Sequence, residues 1–294
     1  MSRIHVLTPG LQTTVQDLGR FGYAHHGVSA SGAADALALR AANLLVGNAE
    51  NAAALEMTLA GATLAFEAAA VIALTGSDFG AGLPLWEPIE IRAGATVACG
   101  ATRSGARCYL AVRGGFDVPL AMGSASVHVM TGVGGRPLRK GDILAIGRSA
   151  VRRPRSRPAA PFPGDFSAPL RVTGAPQAEW FGPELYHSSY TVSEESNRMG
   201  LRLRGPALVA ARAGHMLTEG VPLGAIQAPP DGQPIILFVE HQTTGGYPKP
   251  ANVISADFWR LGQLRPRDEV SFEKISLERA LELLQLQERW LYSL

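Results

Sequence analysis

The chain has 294 residues, 46% of them hydrophobic and 18% charged, with a formal net charge of +2. That composition belongs to a soluble globular protein with room for one large or two ordinary domains, and the near-neutral balance argues against a nucleic-acid or membrane surface. Two cysteines, Cys99 and Cys108, are too few for a disulfide framework and fit a reducing compartment. No apolar core follows the N-terminus as in a signal peptide, and no run approaches the ~20 apolar residues of a membrane helix, so the expected location is cytoplasmic.

Ile4 to Leu7 reads as a first strand, and Thr8-Pro9-Gly10 turns it into T-T-V-Q-D-L-G-R-F-G-Y, read as a loop. A helix is predicted over 32–46. Ser31 stands at its cap, Asp35 lies in the first turn where the dipole favours an acid, and Gly47 suits the stop. Leu37, Ala41, Leu44 and Leu45 fall on one face at helical spacing. From Leu55 the texture becomes short strands separated by glycines: Leu55–Leu59, Thr63–Phe66, Val71–Thr75, Ile89–Ile91, Thr96–Cys99, Cys108–Val112 and Ile143–Ile146. Many short strands at this spacing point to a barrel or sandwich and not to βαβ units.

Residues 149–169 are basic, proline-dense and without periodicity, and read as a linker between an N-terminal β domain (1–148) and a C-terminal β domain (170–294). The second domain repeats the strand texture at Leu170–Thr173, Leu201–Leu203, Ile235–Val239 and Val270–Phe272. It ends in a helix capped by Ser276, with Leu277, Leu281, Leu284 and Leu291 on one face. Arg107–Asp117 and Gln233–Tyr247 both run strand, Gly-Gly, aromatic, a weak internal repeat that predicts two similar β domains.

Several chemistries are excluded. No lysine stands in a Gly-Lys-Ser/Thr phosphate loop, there is no G-x-S-x-G elbow, and the seven histidines and two cysteines show neither H-E-x-x-H nor C-x-x-C spacing, so no structural metal is expected. What remains is polar groups on glycine loops. The first loop carries Gln16, Asp17 and Arg20; a local ion pair of Asp17 with Arg20 is the structural reading there. In S-N-R-M-G, Arg198 stands at a turn, where a guanidinium can grip an anion through paired hydrogen bonds. The third loop, Gln227 to Asn252, launches a buried strand and ends in Glu240, His241, Thr243, Gly245-Gly246, Tyr247 and Lys249. A buried strand that opens onto a polar glycine loop sets those groups at a mouth, and one lysine among backbone donors can stabilise a developing oxyanion.

These loops carry a family resemblance. T-T-V-Q-D-L-G-R-F-G-Y, G-V-S-A-S-G-A-A-D, A-V-R-G-G-F-D-V-P, G-G-R-P-L-R-K-G-D, S-N-R-M-G-L-R-L-R-G, T-E-G-V-P-L-G-A-I-Q-A-P-P-D-G-Q-P and Q-T-T-G-G-Y-P-K run in order through nearly the whole chain. Together they resemble the biotin-dependent carboxyltransferase family, which includes the second subunits of allophanate hydrolases, KipA-like proteins and the C subunits of 5-oxoprolinases. The resemblance implies a mainly β chain with a few helices, built as two cyclophilin-like β-barrel domains. It implies a KipI-like B subunit and an A-subunit homologue as partners, a lactam or amide substrate, and ATP as a substrate of the complex, on this chain or a partner. By motif position it implies Lys249, Arg198 and Tyr247 as catalytic residues, and Arg20, Ser31, Asp35, Gln227, Thr243, Gly245 and Gly246 as substrate-binding ones. Neither Lys140, Lys249 nor Lys274 has the methionine flanks of a biotinyl-lysine, so no biotin attached to this chain is expected. That favours a 5-oxoprolinase role over carboxyl transfer from carboxybiotin to urea, with a KipA-like regulatory binding role as a third possibility. One departure stands out: where the family reads G-S-R-S-T, this chain has Ala125 and Val127 in place of the arginine and threonine. Either the substrate differs here or this segment is structural.

Overall fold

The computed structural model describes residues 2–148, 166–211 and 216–294. The expected linker, 149–169, lies over 149–165 outside the described residues. Contacts divide the rest into two units: residues 2–20, 31–148 and 290–294 form the first, and residues 21–30, 166–211 and 216–289 the second.

The first unit carries β1 (Arg3–Thr8), β2 (Gln12–Gln16), β3 (Ala54–Thr58), β4 (Thr63–Phe66), β5 (Ala70–Gly76), β6 (Pro88–Ile91), β7 (Thr96–Ala98), β8 (Arg107–Val112), β9 (Phe116–Asp117) and β10 (Ile143–Ile146). They form two five-stranded sheets, β7-β4-β1-β10-β9 and β2-β3-β8-β5-β6. One core joins them, with Ile4, Val6, Leu64 and Phe66 from the first sheet meeting Leu55, Ile72, Leu110 and Val112 from the second. Helix α1 (Ala36–Val46) covers the outer face of the second sheet through Ala38, Leu39, Ala42 and Leu45. Because both faces are covered, every residue of β8 is buried. Side chains alternate along a strand, so Cys108, Leu110 and Val112 enter the inter-sheet core while Tyr109 and Ala111 meet the helix.

Two local expectations change here. The segment read as a loop begins with strand β2, paired with β3 from Gln12↔Thr58 to Gln16↔Ala54. Its polar side chains are tolerated inside because they are hydrogen-bonded: Thr13 donates to the Pro9 carbonyl at 2.6 Å and Gln16 to the Val127 carbonyl at 3.0 Å. The helix predicted over 32–46 starts at Ala36, and its cap is Asp35, whose carboxylate accepts from the Ala38 N–H at 2.9 Å. An acceptor two or three residues before free helical N–H groups satisfies them best from the Ncap position itself. Ser31 instead adopts a left-handed backbone, φ 57°.

The second unit holds β11 (Leu170–Gly174), β12 (Tyr190–Val192), β13 (Gly200–Arg204), β14 (Glu219–Gly220), β15 (Ala225–Gln227), β16 (Ile235–Leu237), β17 (Thr244–Gly245), β18 (Ala251–Val253), β19 (Glu269–Val270) and β20 (Phe272–Lys274). Eight of them make one sheet, β19-β12-β13-β16-β15-β18-β11-β20. Its two edge strands, β19 and β20, are separated in the chain by Ser271 alone, so the sheet curls until its edges meet, as in a nearly closed barrel. The single strand expected over Val270–Phe272 is this corner. One-turn helices α2 (Glu184–His187) and α3 (Phe258–Leu261) and the long α4 (Leu277–Tyr292) accompany the strands.

Helix α4 starts as expected, with the Arg279 N–H donating to Ser276 Oγ at 3.2 Å. Of the expected face Leu284 packs inward and Leu291 is buried, but the first two leucines are not. Ala280, Leu283 and Leu284 pack on Ile254 and Ala256, whereas Leu277 and Leu281 are exposed. The Gln287 amide adds a hydrogen bond to the Ala256 carbonyl at 2.9 Å, a polar group taking a place that leucine periodicity does not reveal. The mainly β architecture with few helices is the one expected.

Candidate functional site

In the first unit the candidate residues fall into two buried sets. Arg20 donates from Nη2 to the Ser126 carbonyl and from Nε to the Ala121 carbonyl at 3.4 Å, and Ser31 Oγ reaches the Val127 carbonyl at 3.5 Å. Asp17 works on the same segment. Its Oδ1 accepts from Ser124 Oγ at 2.6 Å and Ser126 Oγ at 2.5 Å, and its Oδ2 from the Ala125 N–H at 2.7 Å. Asp17 and Arg20, expected as a local loop pair, both hold segment 121–126. Ala125 belongs to the inter-sheet core and Val127 is buried, so at these positions the segment is structural.

The second set surrounds the start of α1. Glu56 Oε2 accepts from the Ala34 N–H at 2.8 Å and from Tyr109 Oη at 2.7 Å, while its Oε1 lies 3.6 Å from Arg107 Nε. Tyr109 Oη in turn accepts from the Asp35 N–H at 2.8 Å. Burial, and then the nearby Glu56 and Asp35 charges, push the Tyr109 phenol well above its usual pKa, so it stays a donor. Asp35 is thus the polar start of a helix anchored on the sheet.

The remaining candidates are in the second unit. Arg198 and Glu240 are both buried and joined by a 2.5 Å hydrogen bond from Nε to Oε1, and the Glu240 N–H donates to the Arg198 carbonyl at 2.8 Å. A guanidinium so engaged holds the end of strand β16 in place and is neutralised where it stands.

Lys249 is 2% exposed. Its ammonium donates to Glu219 Oε1. Gln177 ties both: its Oε1 accepts from the Lys249 N–H at 3.2 Å and its Nε2 donates to Glu219 Oε1 at 3.3 Å. Glu219 sits on β14, which pairs with β17 of the glycine loop in the register Glu219↔Gly245 and Gly220↔Thr244. The Val221 N–H continues the ladder to the Thr243 carbonyl at 3.1 Å. On its other side Gly245 abuts Gln227, where a Cβ would stand only 2.4 Å from Nε2; this packing, more than backbone freedom, requires glycine there. Gln227 is buried, its Oε1 accepts from Gln242 Nε2 at 3.2 Å, and its own Nε2 has no hydrogen-bond partner among the described residues. Gly246 and the exposed Tyr247 border a cleft of about 520 Å³ with Phe181, Leu208, Met216 and Pro248.

The structure therefore links Gln227, Thr243, Gly245 and Lys249 through one short ladder, places Gly246 and Tyr247 at the adjoining cleft, and engages Arg198 elsewhere in the same unit. Gln177 and Glu219 were missed in the sequence. Glu219 stands in T-E-G-V-P, visible as a motif residue, but nothing local marks it as the partner of a lysine 30 positions away. Burial lowers the His241 pKa, which keeps that ring neutral near pH 7. The two thiols are buried and free; burial raises Cys99 to about 11 and Cys108 well above the usual thiol value, which disfavours the thiolate at both. No helix among the described residues is long and apolar enough to cross a membrane.

Residues 26–274 match the family model described as carboxyltransferase domain, subdomain A and B. The chain is 39% identical to the 5-oxoprolinase C subunit of Escherichia coli (strain K12), covering 98% of this chain and 96% of that protein. It is 36% identical to the 5-oxoprolinase C subunit of Haemophilus influenzae, covering 98% and 96%. Among solved structures it superposes on Kluyveromyces lactis urea carboxylase with a TM-score of 0.91 at 32% identity, covering 98% of this chain but only 29% of that one.

Proposed function

Because this chain belongs to the carboxyltransferase domain family, subdomains A and B, we propose that it is the C subunit of an ATP-dependent 5-oxoprolinase that opens 5-oxoproline to glutamate. What carries the reading on this chain is the buried Lys249 ammonium, held by Glu219 of β14, whose partner strand β17 packs at Gly245 against the Gln227 amide with its unpartnered Nε2. Ring opening adds water to the lactam carbonyl, breaks the C–N bond and passes a proton to the departing amine. Negative charge develops on the carbonyl oxygen, or on the phosphoryl group transferred to it. A fixed cation that is already desolvated stabilises such charge without reorganising at the moment of reaction. Lys249 supplies that charge, the Gln227 amide hydrogen-bonds the lactam, and Thr243 with Gly245 and Gly246 keeps the loop narrow enough for backbone to approach. Tyr247 orients substrate from the cleft side, and Arg198 maintains the wall beneath it. In the first unit Arg20 and Ser31 hold segment 121–127, and Asp35 caps α1. No lysine stands in a phosphate-loop context, so we assign ATP to a partner; the partners are a KipI-like B subunit and an A-subunit homologue.

The test is reconstitution with candidate A and B subunits and measurement of 5-oxoproline-dependent ATP hydrolysis. Turnover no higher than that of the partners alone would sink the proposal. The likeness to urea carboxylase favours a second reading, carboxyl transfer from carboxybiotin to urea or a related amide. Bicarbonate dependence and inhibition by avidin would select it, and the absence of both would dismiss it.

A further inference from the structure

Lys249 does not hold its own position. Burying an ammonium without a partner is costly, and a lysine side chain is flexible enough to leave for solvent. Here two side chains from distant parts of the second unit prevent that. Glu219 receives the ammonium, and Gln177 clamps both the Lys249 backbone and the same Glu219 oxygen. Glu219 is anchored in turn by its strand pairing with Gly245, so the loop and the carboxylate move as one piece.

We propose that Glu219 and Gln177 are positioning residues that fix the Lys249 ammonium at the mouth of the glycine loop, acting on chemistry only through Lys249. The Lys249 side chain is 3% exposed and that of Glu219 43%, so the pair has a buried cationic end and a carboxylate at the surface. An anionic substrate meets a cation whose partner faces water and can yield on contact. The hydrogen bond from Lys249 holds the Glu219 carboxyl below its usual pKa, so the carboxylate is ionised throughout the neutral range.

The chain offers a direct readout because it has only three lysines: Lys140, Lys249 and Lys274. The folded chain is treated with an amine-acetylating ester, and the rate at each lysine is read by mass spectrometry. Lys140 and Lys274, both exposed, are internal references. A charge-assisted hydrogen bond of ordinary strength predicts that Glu219→Gln accelerates acetylation of Lys249 by about 10-fold relative to Lys274. Glu219→Asp should restore most of the protection, and Gln177→Ala should give an intermediate rate. An unchanged Lys249 rate in Glu219→Gln overturns the proposal.

The kinetic arm rests on the 5-oxoprolinase reading and uses the assembled complex. Glu219→Gln should lower kcat with little change in KM. Combined with Lys249→Ala it should lower kcat no further than Lys249→Ala alone, as for residues acting through one group. The two arms separate the failures. If the wild-type complex does not turn over 5-oxoproline while acetylation responds to Glu219→Gln, the functional reading fails and the positioning role stands. If it turns over and neither acetylation nor kcat responds, the positioning role fails and the functional reading stands.

Discussion

Each unit buries an ionic cluster against a β-sheet, and the two are built to opposite specifications. Around Glu56 in the first unit, the acidic oxygens face Ala34, Tyr109 and Arg107, all inside the protein, and the cluster seats helix α1. Around Lys249 in the second unit, the cation is enclosed but its carboxylate is nearly half exposed, and the neighbouring Gln227 amide has an unpartnered donor. Low local dielectric strengthens both, but a cluster enclosed on every side holds an element in place, whereas one whose carboxylate faces water can exchange partners. Buried charge alone is thus a poor marker of a site; a partner that faces water is the better one.

Removing one member of each cluster tests that contrast. Glu56→Ala should cost about 3–5 kcal/mol, because it strands Arg107 and Tyr109 inside. The expected result is a large drop in the urea midpoint with the slope unchanged, and a loss below about 1 kcal/mol would break the comparison. Lys249→Met should behave oppositely. Glu219 can relax into water, so the melting temperature should move little, while turnover of the assembled complex falls by on the order of 10²-fold or more. A destabilised but active variant would turn the second cluster into another scaffold.

Two smaller effects sharpen the first unit's side. Asp35→Ala should cost about 1 kcal/mol through loss of the α1 cap, and Asp35→Asn should recover much of it, since asparagine caps nearly as well. The surface pair Arg136–Asp142, bidentate at 2.8 and 2.9 Å, provides a pH test. The Arg136 hydrogen bonds, aided by the Arg139 N–H, lower the Asp142 pKa to about 2. Its folded value is depressed, so its contribution is present above the ordinary carboxylate range and lost as pH falls through that range towards pH 2. The stability difference between wild type and Asp142→Asn should be under about 1 kcal/mol at pH 7 and vanish near pH 2.

How much of this was readable in advance follows from how local each signal is. Strand β8 announces itself as a continuous apolar run because both its faces are covered. Strand β2 does not, since Thr13, Thr14 and Gln16 are polar yet buried, Thr13 bonded to nearby Pro9 and Gln16 to Val127 far along the chain. Strands β12, β15 and β18 are three residues each, too short for a period to show. In α4, Leu277 and Leu281 matched the expected stripe, but the helix turns Ala280 and Gln287 inward instead. The glycine loop stood out because its composition changes within one residue, and Lys249 because lysines are rare here. The partners of Lys249, 30 and 72 positions away, become visible only when β14 meets β17.

The corner at Ser271 has a consequence for how the chain acquires its shape. Strand β20 pairs in parallel with β11, Leu170↔Phe272, so the sheet's edge strand is joined to its neighbour across about a hundred residues of intervening chain. Loop-closure entropy for so distant a contact must be overcome before its pairing is gained, and topologies dominated by such contacts fold slowly. On an emerging polypeptide, β11 waits with an open edge until nearly all of the second unit has been synthesised. The closure of this unit is therefore a late event in its biogenesis, and the interval before it is when an exposed strand edge is most available to pair wrongly.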